Sequence, residues 1–250
     1  MISVCMATYN GSKYIEEQIN SILKQLDIDD EIVVSDDGSS DGTLDILNKI
    51  NDKRIKIFQH NHDEDEAYTR RKRSQNFYRV TSNFQNALKN AKGDYIYLSD
   101  QDDIWIEDRV KLVQEDLMNN DIVMTNYMIM DENSTITNAK FCTKSPISKN
   151  LINNIIKSKF LGCCMAFRRN VLDYCLPFPA NLIAHDYWIG CLGVYKFRFY
   201  FEEKPLHMYR RSGNNVSAST EKSSNTFIYK IMFRLEFLFK VVRRIMEKNK

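Results

Sequence analysis

The sequence predicts an α/β fold with a mostly parallel central sheet and helices on both faces. Two observations predict it. Short apolar, β-branched runs alternate along the chain with segments of helical periodicity, which is the pattern of strands joined by crossover helices. Three of those runs also end in polar or acidic clusters, at Thr8-Tyr9-Asn10, Asp36-Asp37 and Asp100 to Asp103. In a parallel sheet such ends share one edge, where ligands of open α/β sheets bind.

Each element follows in order. Ile2 to Thr8 is a near-continuous apolar run and reads as a buried strand; the Tyr9-Asn10-Gly11-Ser12 turn follows, and Ile15, Ile19, Ile22, Leu23 and Leu26 then mark a helix. Glu31 to Ser35 is a second strand running into Asp36-Asp37-Gly38-Ser39-Ser40-Asp41-Gly42-Thr43, with a helix after it marked by Leu44, Ile46, Leu47 and Ile50. Arg54 to Gln59 is a third strand. His60 to Ser82 carries acids, the basic run Arg70-Arg71-Lys72-Arg73 and the aromatics Phe77 and Tyr78, and is long for a connection, so it reads as a flap or a solvated charged loop. Phe84, Ala87, Leu88 and Ala91 form a helix ended by Gly93. A strand from Tyr95, a helix over Val110 to Met118 and a strand over Asp121 to Tyr127 complete this half.

The stretch Tyr95 to Trp105 organises the chain. An aromatic and aliphatic strand drives into Asp100, Asp102 and Asp103, three carboxylates that repel one another and resist leaving water unless a cation or donor groups neutralise them. Two readings stand on these residues alone: a divalent metal site at a strand end, or solvated turn acids before a helix beginning near Glu107. The neighbouring hydroxyl and amide groups suit a ligand that offers donors and arrives with a metal: a base with an N–H, a ribose diol, a diphosphate. The first strand is not followed by GxGxxG and the chain holds no GxxxxGK[ST], which disfavours Rossmann dinucleotide binding and P-loop chemistry.

Composition bounds the function classes. The chain has 250 residues, 43% hydrophobic and 27% charged, with a formal net charge of +2, so it has no global basic field and nucleic acid is not expected as a partner. The six cysteines, Cys5, Cys142, Cys163, Cys164, Cys175 and Cys191, show no CxxC spacing and read as reduced thiols, Cys5 and Cys191 lying in apolar runs. The N-terminus enters a strand at once with no basic n-region or cleavage site, and no run approaches the roughly 18 apolar residues of a membrane span, so a cytoplasmic location is expected.

The motifs together resemble a family 2 glycosyltransferase of the GT-A fold. The likeness rests on Ser3 to Gly11, Val33 to Thr43, Gly93-Asp94-Tyr95 with Asp100-Gln101-Asp102-Asp103, Gly162 to Phe167, His185-Asp186-Tyr187-Trp188, and Tyr209-Arg210-Arg211-Ser212-Gly213-Asn214-Asn215-Val216. It spans residues 2 to about 220, with a nucleotide-binding half over about 1–127 and an acceptor-binding half over about 128–220. The resemblance implies transfer of a sugar from a nucleoside diphosphate donor to a saccharide acceptor, free or lipid-linked, with Mg²⁺ or Mn²⁺ and an inverting mechanism. The Asp-Gln-Asp-Asp-Ile-Trp variant looks most like rhamnosyltransferases of bacterial cell-surface polysaccharide synthesis, so dTDP-rhamnose and a UDP-hexose are the donors considered.

The resemblance also assigns roles. Thr8, Tyr9 and Asn10 would line the nucleotide pocket, and Asp37 would accept the imide N–H of a pyrimidine, with Asp36 structural or on the ribose. Asp100 and Asp102 would form the metal pair, Asp102 as direct ligand and Asp100 near the ribose or the ion, while Asp103 would equally serve as a residue supporting them from behind. Asp186 would be the base that takes the acceptor's proton, against the alternative of a helix N-cap. Gly162 and Cys163, in a strand lining the acceptor cleft, and Tyr187 and Trp188, stacking on a sugar, would bind the acceptor; each also reads as ordinary core packing. Arg210 and Arg211 would grip the diphosphate. Related sequences often carry histidine where Ser212 stands, which leaves His207 as a substitute contact or a structural residue. Two rivals share the acids: a metal-dependent nucleotidyltransferase, and a nucleotide-sugar binding module without a working base.

The tail, 225–250, reads as an amphipathic basic helix. Ile228, Ile231, Met232, Leu235, Leu238, Phe239, Val242, Ile245 and Met246 fall on one face, widened by Phe233 and Phe237, with Lys230, Arg234, Lys240, Arg243, Arg244 and Lys248 on the other side. Such a helix over 227–246 would touch a membrane peripherally, pack on the catalytic domain or dimerise.

Overall fold

The computed structural model describes residues 1–61, 75–138, 145–157, 159–211 and 226–249. Its strands are β1 (Ile2–Thr8), β2 (Glu31–Asp36), β3 (Ile55–Gln59), β4 (Tyr95–Ser99), β5 (Ile104–Trp105), β6 (Ile122–Met130), β7 (Ile136–Asn138), β8 (Met165–Arg168) and β9 (Phe199–Arg210). Its helices are α1 (Ile15–Leu23), α2 (Thr43–Ile50), α3 (Gln75–Asn90), α4 (Arg109–Asn119), α5 (Leu151–Ile156), α6 (Arg169–Cys175), α7 (His185–Lys196) and α8 (Phe227–Lys248).

The strands form one sheet in the order β3-β2-β1-β4-β8-β6-β9-β5, with β7 attached to β6. β3, β2, β1 and β4 are parallel neighbours, and β6 and β9 are also a parallel pair; β8 runs antiparallel between β4 and β6, and β5 antiparallel to β9. The predicted parallel sheet is therefore its N-terminal part, β3-β2-β1-β4, and reversed strands extend it.

Period-two alternation splits the core between the two faces. Val4 and Met6 of β1 join α1, α2 and α4 through Ile15, Ile19, Leu47 and Val113. Cys5 points the other way, into a cluster with Phe84 of α3, Trp188 of α7 and Phe237 of α8. Gly38 and Gly42 take left-handed backbone (φ 82° and 92°), which lets the acidic turn after β2 reverse tightly into α2.

Three expectations shift. The segment expected to be irregular through Ser82 is helical from Gln75, because Val80 and Phe84 put an apolar face on the sheet one turn apart; residues 62–74 lie outside the described ones. Gly162–Cys164 is a 3₁₀ turn, and the expected strand begins only at Met165. α4 begins at Arg109, two residues after Glu107. Cys5, Cys163, Cys164, Cys175 and Cys191 are free and buried, as expected of reduced thiols; Cys142 is outside the described residues.

Candidate active site

The register of the sheet assembles the site. Thr8 pairs with Asp36 across β1 and β2, and Met6 with Ser99 across β1 and β4, so the polar residues after each strand meet at one edge. Over that edge lies a cleft of about 950 Å³. Its walls include Thr8, Tyr9, Asn10 and Asp37 from the turns after β1 and β2, Asp100, Gln101 and Asp102 after β4, and Gly162, His185 and Asp186 from the second half of the chain. Six of the residues expected at the nucleotide and metal therefore share one cavity with the expected base.

The part of the wall expected at the nucleotide is built on β1 and β2. Asn10, at φ 47°, accepts from the Ser40 amide, and its own amide donates to the Ser39 hydroxyl, clamping the first turn onto the second. Gln101 brackets Tyr9, accepting from its amide at 3.0 Å and donating to its carbonyl at 3.1 Å. Asp37 takes His60 Nδ1 at 2.7 Å on one oxygen and Arg79 Nε at 2.9 Å on the other. Arg79 also lies 4.9 Å over the Tyr9 ring. Neither Arg79 nor His60 was singled out from the sequence, since single cations in a charged segment carry no pattern. Asp36, in contrast, is fully buried and outside the cleft: it accepts from the amides of Gly38 and Ser39, the Ser39 hydroxyl and Thr8 Oγ1. It builds the turn and cannot reach a ribose.

The carboxylates after β4 divide by partner. Asp103 is fully buried, accepting from His207 Nε2 at 2.8 Å and from the Arg210 amide at 2.8 Å. His207 faces Arg109 Nη1 at 2.9 Å through Nδ1, and since arginine only donates, Nδ1 accepts and the proton sits on Nε2. Burial lowers the His207 pKa, and a neutral ring fits that tautomer. Arg109 in turn donates to the Cys163 carbonyl at 2.7 Å. Asp103 is thus a support, and His207, with both nitrogens engaged behind the cleft, supplies no contact to a ligand.

Asp100 and Asp102 are left facing the cleft. Burial, then Asp103, Asp102 and Asp186, push the Asp100 carboxyl well up; burial and then Asp103 raise Asp102 to about 7. Two carboxylates held this close to other acids offer oxygen ligands that fit a hard divalent cation such as Mg²⁺ or Mn²⁺, with the buried Cys163 thiol behind Asp100.

Another part of the wall comes from the second half of the chain. Asp186 is in the first turn of α7, not at its cap, and accepts from the Tyr187 amide at 2.7 Å. Gly162 stands against it: a Cβ there would lie 3.1 Å from His185 Nε2 and 3.3 Å from Asp186 Cβ. His185 stacks on Phe84 at 4.1 Å. Its Nε2 and the Asn83 Oδ1 are buried polar atoms of cleft residues with no hydrogen-bond partner among the described residues, as expected of groups awaiting a ligand. The HDYW run hid His185 behind the stronger acid.

Several expected contacts fall elsewhere. Trp188 is fully buried, donates Nε1 to the Cys175 carbonyl and packs on Phe237, so it cannot stack on a sugar. Tyr187 borders the cleft but is stacked face to face with Phe237 at 3.9 Å and donates its hydroxyl to the Ile155 carbonyl. Cys163 is buried behind Asp100, outside the cleft wall. Arg210 turns away altogether: strand alternation buries its guanidinium 4.3 Å over Tyr14, ion-paired to Glu17 at 2.7 Å and donating to Ser134 Oγ and the carbonyls of Asp102, Asp131 and Glu132. Arg211 donates its amide to the Met130 carbonyl and is not in the cleft wall. Ser212 to Val216 lie outside the described residues.

A comparison with known proteins decides the family. The model of "Glycosyl transferase family 2" matches residues 3–176. This chain belongs to glycosyltransferase family 2. It is therefore an enzyme of sugar transfer, and the nucleotidyltransferase reading is set aside. Among relatives of this family 2 enzyme is the dTDP-rhamnosyl transferase RfbG of Shigella flexneri, 30% identical over 222 residues that cover 84% of this chain and 72% of the relative. Another is the UDP-Glc:alpha-D-GlcNAc-diphosphoundecaprenol beta-1,3-glucosyltransferase WfgD of Escherichia coli, 30% identical over 194 residues, 76% of this chain and 68% of the relative. The fold resembles S. aureus TarS 1–349 in complex with UDP-GlcNAc, at TM-score 0.66 and 22% identity over 97% of this chain and 69% of that one. Against another crystal structure of TarS 1–349 the match spans 60% of that chain. The family and the sheet together make this the GT-A fold.

Proposed function

We propose that this family 2 enzyme transfers a sugar from a nucleoside diphosphate donor, UDP- or dTDP-linked, to a saccharide acceptor in cell-surface polysaccharide synthesis, with inversion at C1. The observation that carries the reading is the single cleft whose walls hold Asp37, the Asp100–Asp102 pair and Asp186 together. The relatives' printed substrates, a dTDP-rhamnosyl donor for one and a UDP-glucose donor with a diphosphoundecaprenol-linked acceptor for another, support both donor classes and a lipid-linked acceptor.

The chain's own groups account for the chemistry. Asp37, held by His60 and Arg79 in the cleft wall, presents a carboxylate, the group type that accepts from a base N–H. The ring of Tyr9 offers a stacking face. Asp100 and Asp102 would hold Mg²⁺ or Mn²⁺; when bound, the ion neutralises charge gathering on the departing diphosphate, so no general acid is required. Asp186 takes the proton of the acceptor hydroxyl as its oxygen bonds to C1 and the C1–phosphate bond opens on the opposite side. Gly162 clears space beside that oxygen, and His185 Nε2 hydrogen-bonds a sugar hydroxyl.

The test is thermal stability of the purified protein against UDP, dTDP, GDP and CMP, each with and without Mn²⁺, because a ligand of the native state raises its midpoint. A metal-dependent rise with UDP or dTDP that Asp102→Ala abolishes is the expected result. No rise with any diphosphate overturns the donor assignment.

A further inference from the structure

α8 is oriented against its amphipathic pattern. Its inward side carries Phe237 and Val241, 2% and 0% exposed, against α7. Its basic residues also reach inward. Arg244 donates to the carbonyls of Tyr174, Cys175 and Leu176, Lys240 to Asn181 and Lys248 to Asp173, while Lys230 and Arg234 line the cleft. The opposite side is an apolar stripe left in solvent: Ile228, Met232, Leu235, Phe239, Val242 and Met246 are 44–70% exposed. Residues at these steps of four, three and seven fall on one helical face and make a band about 27 Å long. A patch of this kind marks an interaction surface.

We propose that the outer face of α8 lies in the interface of an anionic lipid surface, holding the α8 end of the cleft against the headgroups. Three features select this occupant. Among the described residues no helix is long and apolar enough to cross a membrane, so α8 lies on the surface and does not span it. Arg243, its side chain 71% exposed, flanks the stripe, and Lys230 and Arg234 stand in the cleft wall beside it, so positive charge of α8 borders the stripe, where it attracts anionic headgroups. Tyr229, Lys230, Phe233 and Arg234 line the cleft from the same turns that carry Ile228, Met232 and Leu235, so a lipid whose phosphate enters beside Lys230 and Arg234 keeps its chains beside the stripe. This last point rests on the transfer reading above; the docking itself does not.

The experiment is co-sedimentation of the full chain with vesicles of phosphatidylcholine alone and of phosphatidylcholine with roughly one quarter phosphatidylglycerol, using wild type and Leu235→Glu/Phe239→Glu. Wild type is expected to pellet with the anionic vesicles, and the double variant to bind about 100-fold more weakly, since two large apolar side chains no longer leave water. Both positions are exposed, so the variant keeps its melting temperature and its UDP–Mn²⁺ shift; that shift reads the donor site separately from docking. Wild type remaining in the supernatant with both vesicles, or a variant that pellets equally, overturns the proposal. A wild-type dimer in lipid-free buffer that the double variant dissolves would assign the stripe to a second copy instead.

Discussion

Gly162 and Asp186 are in near contact in the cleft wall: a methyl group on Gly162 would stand 3.3 Å from the Asp186 Cβ and 3.1 Å from His185 Nε2. Gly162→Ala crowds both without filling the core. It is expected to keep its melting temperature and lose about tenfold in kcat/KM, because sub-ångström displacement of a reacting group is costly. Gly190→Ala is the contrast: its Cβ would meet the Phe160 ring at 2.3 Å, so it lowers stability by roughly 1–3 kcal/mol. Steady-state kinetics and thermal melts of the two variants check the difference.

Asp186→Asn keeps the shape of the first turn of α7 and removes the proton acceptor. The expected loss in kcat is on the order of 10²–10⁴, with the UDP–Mn²⁺ thermal shift intact. A nucleotide-sugar binding module would show no change in any property, so single-turnover rates separate the two.

Asp102 links pH to stability. Burial and Asp103 raise its folded pKa to about 7, above its ordinary value. Its neutral form is therefore favoured by folding; this contribution is complete at acid pH below the unfolded pKa and is lost as pH rises through about 7. Asp102→Asn is expected to melt above metal-free wild type at pH 8, with the advantage shrinking toward pH 5, and to lose the metal-dependent shift. Melting curves across that pH range test it, and the reverse trend would refute the assignment of cause.

His185→Phe preserves the stack on Phe84 and deletes Nε2. With the unpartnered nitrogen gone, stability stays level or rises, while the acceptor KM increases roughly threefold to tenfold, the worth of one hydrogen bond. An unchanged KM would leave His185 a packing residue.

Arg210→Met tests the reassignment of that residue. The buried guanidinium holds Glu17, Ser134 and three carbonyls, so its loss is expected to cost roughly 3–5 kcal/mol of stability with little effect on donor KM. A donor KM that rises with stability unchanged would restore it to the diphosphate.

The sequence by itself determined the strand–helix alternation, the parallel N-terminal sheet and the acids that meet at its edge, because period-two burial, helical spacing and strand-end chemistry are local properties. Asp37, Asp100 and Asp102 were legible as strand-end acids for that reason, whereas Asp186 came only from the family resemblance. The tertiary structure decided which polar residues face the cleft and which the core. Asp36 and Asp37 are adjacent in the chain, yet one closes a turn and the other lines the site. Arg210 and Trp188 belong to recognisable motifs, yet the pleat of β9 and the packing of α7 on α8 bury them. Arg79, Asn83 and His185 carry no pattern of their own and enter the site only because α3 and α7 cross the sheet edge. The same holds for α8: periodicity gave it an apolar and a basic side, and only the partners available on the domain, Tyr187 for Phe237 and the carbonyls after α6 for Arg244, turned the basic side inward.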